Sequence, residues 1–171
     1  MTNLTDIVYK DTVPFIPPIT YGKVIKVYDG DTITVAAALP YDGSPMYRFS
    51  VRINGIDCPE IRTKNKDEKT CALIAKKFII EKAMNKTVTL QNVTTEKYGR
   101  LLADVICDDK SLGDLLILER LAVKYDGGKK HTPDNWLTYY TNKNKQNENE
   151  NINVVSQKEP FYRRIINRIK K

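Results

Sequence analysis

Asp29-Gly30-Asp31-Thr32 and Arg52-Ile53-Asn54-Gly55-Ile56-Asp57-Cys58-Pro59-Glu60 are two short polar stretches, each joined to an apolar run. A second arginine, Arg100, follows in Lys97-Tyr98-Gly99-Arg100. Carboxylates without a matching set of histidines suit a hard cation held through oxygen, and two separate arginines suit the charged oxygens of a phosphate. The chemistry these residue types point to is metal-assisted cleavage of a phosphodiester. His131 is the only histidine and lies outside the motifs, which argues against a histidine-based mechanism. Cys58, Cys71 and Cys107 are odd in number and contain no CxxC pair, which argues against a disulfide framework or a structural zinc site. They read as small core hydrophobes.

Strands and turns must position the acids and arginines. Residues 23–28 alternate in polarity up to the turn at Asp29-Gly30, a second strand returns over 31–39, and a third runs over 46–53. Alternation on the third strand sends Arg52 away from the side that holds Val51 and Ile53. Ala72, Leu73, Ala75, Phe78, Ile79 and Met84 fall at helical spacing and predict an amphipathic helix over 68–85. Two further strands are expected over 87–93 and 101–106, joined by the loop that carries Tyr98 and Arg100. Ser111, with Asp114 three residues on, caps a second helix. The order β-β-β-α-β-β-α predicts an α+β, mainly β fold: an OB-type five-stranded Greek-key barrel with accompanying helices.

Four segments are expected: an extended proline-containing arm over 1–20, a barrel domain over 21–140, a polar linker over 141–158, and a basic amphipathic helix over 159–171. The linker is rich in Asn, Lys, Gln and Glu and has little apolar surface to offset the entropy of ordering. In the final segment Phe161, Ile165, Ile166 and Ile169 lie opposite a cluster of arginines, a pattern that could pack on the barrel or dock on an anionic surface.

A length of 171 residues with 41% apolar content suffices for one domain with a proper core. The net charge of +7 favours a polyanionic partner such as nucleic acid, although a solvated lysine surface accounts for the charge equally well. No apolar run reaches the ~20 residues that cross a bilayer, and no basic segment followed by an apolar one opens the chain. With reduced cysteines, the expectation is an intracellular, cytoplasmic protein.

The motifs, in this order and spacing, resemble the staphylococcal nuclease (thermonuclease-like) family. The matching stretches are Val27 to Thr32, Arg52 to Glu60, Glu96 to Leu101, and the Leu-rich helix ending at Glu119-Arg120-Leu121-Ala122. The resemblance implies an OB-type barrel and a calcium-dependent endonuclease that cleaves DNA and RNA, single-stranded or flexible regions above all, to 3′-phosphate products. It implies that Asp31, Asp57 and the main-chain carbonyl of Cys58 hold Ca²⁺, with Asp29 nearby. Glu60 would act on the attacking water, as general base or by orienting it, and Arg52 and Arg100 would clamp the phosphate. Lys97 and Tyr98 would contact a terminal phosphate, and Tyr125 would stack on a base. Two other readings are a noncatalytic OB-fold module that binds nucleic acid, and a nuclease tethered to a membrane or protein partner by its basic tail.

Overall fold

The structure, a computed structural model, describes residues 4–96 and 98–142. The tail helix, nearly all of the linker and Lys97 lie outside them. Strands β1 (Tyr21–Val27), β2 (Thr32–Ala38) and β3 (Met46–Ile53) form an antiparallel meander, followed by the two-residue β4 (Ile56–Asp57). Helix α1 (Lys66–Ala83) leads into β5 (Thr87–Thr95), β6 (Leu101–Cys107), the short β7 (Lys110–Ser111) and α2 (Leu112–Leu118). A short β8 (Val123–Lys124) and α3 (Trp136–Thr141) complete the described order. Strands β3, β2, β1, β5 and β6 are hydrogen-bonded in that sequence, and a parallel pairing of β3 with β6 closes the five-stranded barrel. The OB-type, mainly β architecture read from the sequence is therefore present.

Strand alternation builds the core. On β6, Leu101, Ala103, Val105 and Cys107 are buried with partly buried residues between them. On β2, Ile33, Val35 and Ala37 turn inward against Val24, Val51 and Ile53 of the neighbouring strands. Helix α1 seals one end with Cys71, Ile74, Ala75, Phe78 and Ile79. It begins two residues earlier than the periodicity predicts, because Asn65 caps it through bonds from the amides of Asp67 and Glu68 at 2.9 and 3.2 Å. It also ends two residues earlier, where Asn85 turns left-handed at φ 64°. Ser111 caps α2 as expected, accepting from the Asp114 amide at 3.1 Å.

Helix α3 is too short to announce itself by periodicity. Asn135 caps it, and the same side chain bonds Asp67 of α1 at 3.0 Å. Trp136 and Tyr140 are buried, so this tryptophan is a core anchor. The helix closes at Thr141, one residue inside the expected linker. At the other end, Ile19 is buried near the junction with the barrel, while Leu4, Tyr9, Val13 and Phe15 are exposed.

The turn between β1 and β2 holds the glycine on which the site depends. Gly30 is not left-handed; a Cβ there would lie 2.8 Å from Ala75 Cβ and 3.0 Å from Cys58 Sγ. Close approach to α1 and to the loop after β4 therefore demands glycine. Gly30→Ala should lower stability by about 1–3 kcal/mol through overpacking. Thermal unfolding checks this, and an unchanged melting temperature would contradict it.

Candidate active site

The register of β2 on β3 sets Thr32 opposite Arg52, and the Ile53 amide bonds the Asp31 carbonyl at 2.7 Å. Asp31 thus sits beside Arg52 at one end of the barrel. The turn at Asn54-Gly55, with Gly55 at φ 77°, then reverses the chain into β4, which carries Asp57 back to the same guanidinium. Arg52 Nη1 pairs with Asp31 Oδ2, while Nη2 donates to Asp57 Oδ1 at 3.1 Å and to the Ile56 carbonyl at 3.2 Å. The three side chains are 13%, 7% and 3% exposed, which makes this a nearly buried ion triad.

The second arginine arrives from the β5–β6 loop. Arg100 is paired with Glu96 through Nε, and its Nη1 reaches Thr32 Oγ1 at 3.3 Å. Thr32 in turn donates to Asp31 Oδ1 at 2.8 Å, so the two arginines are linked through one hydroxyl and one carboxylate. Glu60 stands at the mouth with its side chain 60% exposed, and its amide is fixed by Glu68 Oε1 at 3.1 Å.

Asp31, Arg52, Cys58, Glu60, Tyr98, Arg100 and Tyr125 line a single cleft of about 300 Å³, together with Asp29, Glu96 and Lys130. Asp57 joins them through Arg52 and Lys130. Tyr98 is exposed at the rim and Tyr125 is half-buried beside it. Lys97, expected with Tyr98, falls outside the described residues. His131 lines a different cavity.

Three members of the site were not read from the sequence. Thr32 belongs to the first motif, but its bridging role depends on strand register. Glu96 belongs to a matching stretch, but only the loop fold places it behind Arg100. Lys130 lies in the Gly127 to Trp136 segment, where no motif signals a role, yet its Nζ is 2.9 Å from Asp57 Oδ1 and 3.6 Å from Glu60 Oε1.

Asp29, Asp31, Asp57, Glu60 and Glu96 face Arg52, Arg100 and Lys130, so carboxylates are in excess around the cleft. Burial pushes the Asp31 carboxyl up from its ordinary 3.8 to about 6, against the pull of Arg52, with Asp29 pushing the same way. An added cation would relieve that cost. Asp31, Asp57 and the Cys58 carbonyl offer only oxygen, which fits a hard ion. Burial, with the charges of Asp31, Asp29 and Asp57, lifts the Cys58 thiol well above its usual range, so in the metal-free protein the sulfur stays protonated. Among the described residues no three His, Cys, Asp or Glu side chains form a ready cage. An ion here would need water or substrate oxygens to complete its shell.

Comparison with known proteins adds an independent line. The sequence model described as "Staphylococcal nuclease homologue" matches residues 50–152, more than half of the chain. The chain is 36% identical over 86 residues to a "Probable endonuclease" of Schizosaccharomyces pombe, covering 46% of this chain and 37% of that protein. It is 31% identical over 111 residues to an uncharacterized protein of Methanocaldococcus jannaschii, covering 53% and 50%. The chain thus spans half or less of each of these relatives.

The raised Asp31 pKa has a signed consequence for the metal-free protein. The native state holds a proton that the unfolded chain releases near pH 4, so the contribution of Asp31 to stability falls as pH rises from about 4 through about 6. In excess chelator, the stability of wild type minus that of Asp31→Asn should decline over that window by an amount on the order of 2 kcal/mol. Thermal melts at several pH values measure it, and a flat or rising difference would contradict the assignment.

Proposed function

Given that the chain belongs to the staphylococcal nuclease family, we propose that it is a calcium-dependent endonuclease that hydrolyses phosphodiester bonds of DNA and RNA and leaves 3′-phosphate ends. The observation that carries this reading is the convergence of Asp31, Asp57, Glu60, Arg52 and Arg100 around one cleft. The S. pombe relative is a probable endonuclease, which supports the nuclease class. Calcium and the position of the cut are carried over from the family resemblance.

Asp31, Asp57 and the Cys58 carbonyl would hold the ion, whose chemistry is to polarise the scissile phosphate and offset its charge. Glu60, exposed at the mouth, takes a proton from the attacking water or aims it at phosphorus. Arg52 and Arg100 meet the negative charge that grows on the phosphoryl oxygens. Both guanidiniums are already oriented by their carboxylate and hydroxyl partners, so little reorganisation is needed as the charge develops. Tyr98 on the rim contacts a terminal phosphate, and Tyr125 beside it stacks on a base. The three cysteines are free and buried, which supports an intracellular, reducing setting.

Cleavage of single-stranded DNA or RNA should require Ca²⁺ and stop in excess chelator, with 3′-phosphate termini on the products. Undiminished cleavage without free metal would contradict the ionic part of the mechanism. Glu60→Gln keeps size but loses proton acceptance, so turnover should drop ~10²-fold or more with substrate affinity largely kept. Arg100→Ala should also depress turnover more than affinity. Wild-type rates in single-turnover assays would remove these residues from the mechanism.

A further inference from the structure

A second groove of about 540 Å³ opens beside the catalytic cleft and shares Asp29, Glu60 and Arg100 with it. Its walls add Lys26 from β1, Arg62 from the loop before α1, Lys76 from α1 and Tyr28 from the turn just after β1. Cations from three separate elements therefore converge on one concave surface, where they outnumber the two acids it shares with the cleft. Among the described residues neither Lys26 nor Lys76 pairs with a carboxylate. The Arg62 guanidinium lies 5.9 Å from the centre of the half-exposed Tyr28 ring.

We propose that this groove holds the flanking strand of a single-stranded nucleic acid whose scissile phosphate lies in the catalytic cleft. The inference rests on the nuclease reading and deepens it, because it makes the preferred substrate a chain that continues beyond the cut. Like charges gathered on a concave surface without internal partners are stabilised by a polyanion that releases its counterions on binding. An aromatic ring among them offers a stacking face to any base, and Arg62 can stack on the other side of that base or follow the phosphates. The shared residues make the path continuous: Arg100 and Glu60 stand where a strand would pass from cleft to groove. A duplex would present its phosphates on a rigid cylinder. A single strand can bend into the concave surface and turn a base onto Tyr28.

The test is fluorescence anisotropy on the full chain in excess chelator, with a labelled thymidine trinucleotide and a labelled strand of about 20 nucleotides. Replacing Lys26, Arg62 and Lys76 together by Gln should weaken binding of the long strand ~10-fold or more and lower its salt slope by about 2, with the trinucleotide unaffected. Tyr28→Ala should weaken the long strand ~5-fold or more without changing the salt slope. Lys10, Lys69 and Lys110, all exposed and outside both grooves, replaced together by Gln, control for net charge. Equal loss in that control, or no loss in the groove variant, overturns the groove and leaves the catalytic reading standing. Failure of wild type to bind the long strand overturns the groove, and failure to cleave either strand once Ca²⁺ is restored overturns the catalytic reading.

Discussion

The guanidinium of Arg52, wedged between Asp31 and Asp57, is the constraint around which the site is organised. Burying three charges carries a large desolvation cost, which attraction offsets only if the geometry holds each partner in place. The barrel supplies that geometry through the β2–β3 register, the parallel closure of β3 on β6, and the Gly55 turn that returns β4 to Arg52. Gly30 allows the Asp31 turn to sit against Cys58 and α1. The fold and the site are therefore coupled: a slip of one residue between β2 and β3 would turn Arg52 away from Asp31.

The balance of charge around the triad divides the site into fixed and movable parts. Arg52 is nearly buried and makes bonds to both carboxylates and to a carbonyl, whereas Lys130 is half-exposed on a loop that follows Gly127 and Gly128. Lys130 supplements the neutralisation of Asp57 and draws Glu60 toward it, on a stem flexible enough to move aside. Among the described residues Asp31 has Arg52 as its ionic partner, and burial governs its carboxyl. The cleft thus sets an excess of carboxylates at its base against a guanidinium at Arg100, which is the pattern of charge that the proposed cation and phosphate require. Low exposure strengthens both effects.

Much of this was legible because the chemistry lies in short local motifs. Alternation in 23–28 and 46–53 located strands, and the acids at 29, 31, 57 and 60 with Arg52 and Arg100 marked the cleft. What escaped the reading depended on distance in sequence. Thr32 bridges to Arg100 only because strands β3 and β6 close the barrel beside it, and Lys130 reaches Asp57 across a loop that has no periodicity. Helix α3 has six residues, and its evidence lies in the Asn135 cap and the burial of Trp136 rather than in a pattern. Gly30 shows a subtler limit: the sequence marks a turn, but the reason for glycine is the proximity of Cys58 and Ala75.

The proposed mechanism requires the Arg52 fork, not its charge alone, to organise the carboxylates and to meet the phosphate. Single-turnover cleavage of a labelled single-stranded oligonucleotide in Ca²⁺ by Arg52→Lys tests it directly, with circular dichroism to establish that the variant is folded. An ammonium keeps the charge but cannot span Asp31 and Asp57 while presenting a planar face to phosphate, so the rate should fall ~10²-fold or more. A folded Arg52→Lys protein that cleaves at the wild-type rate would contradict the account.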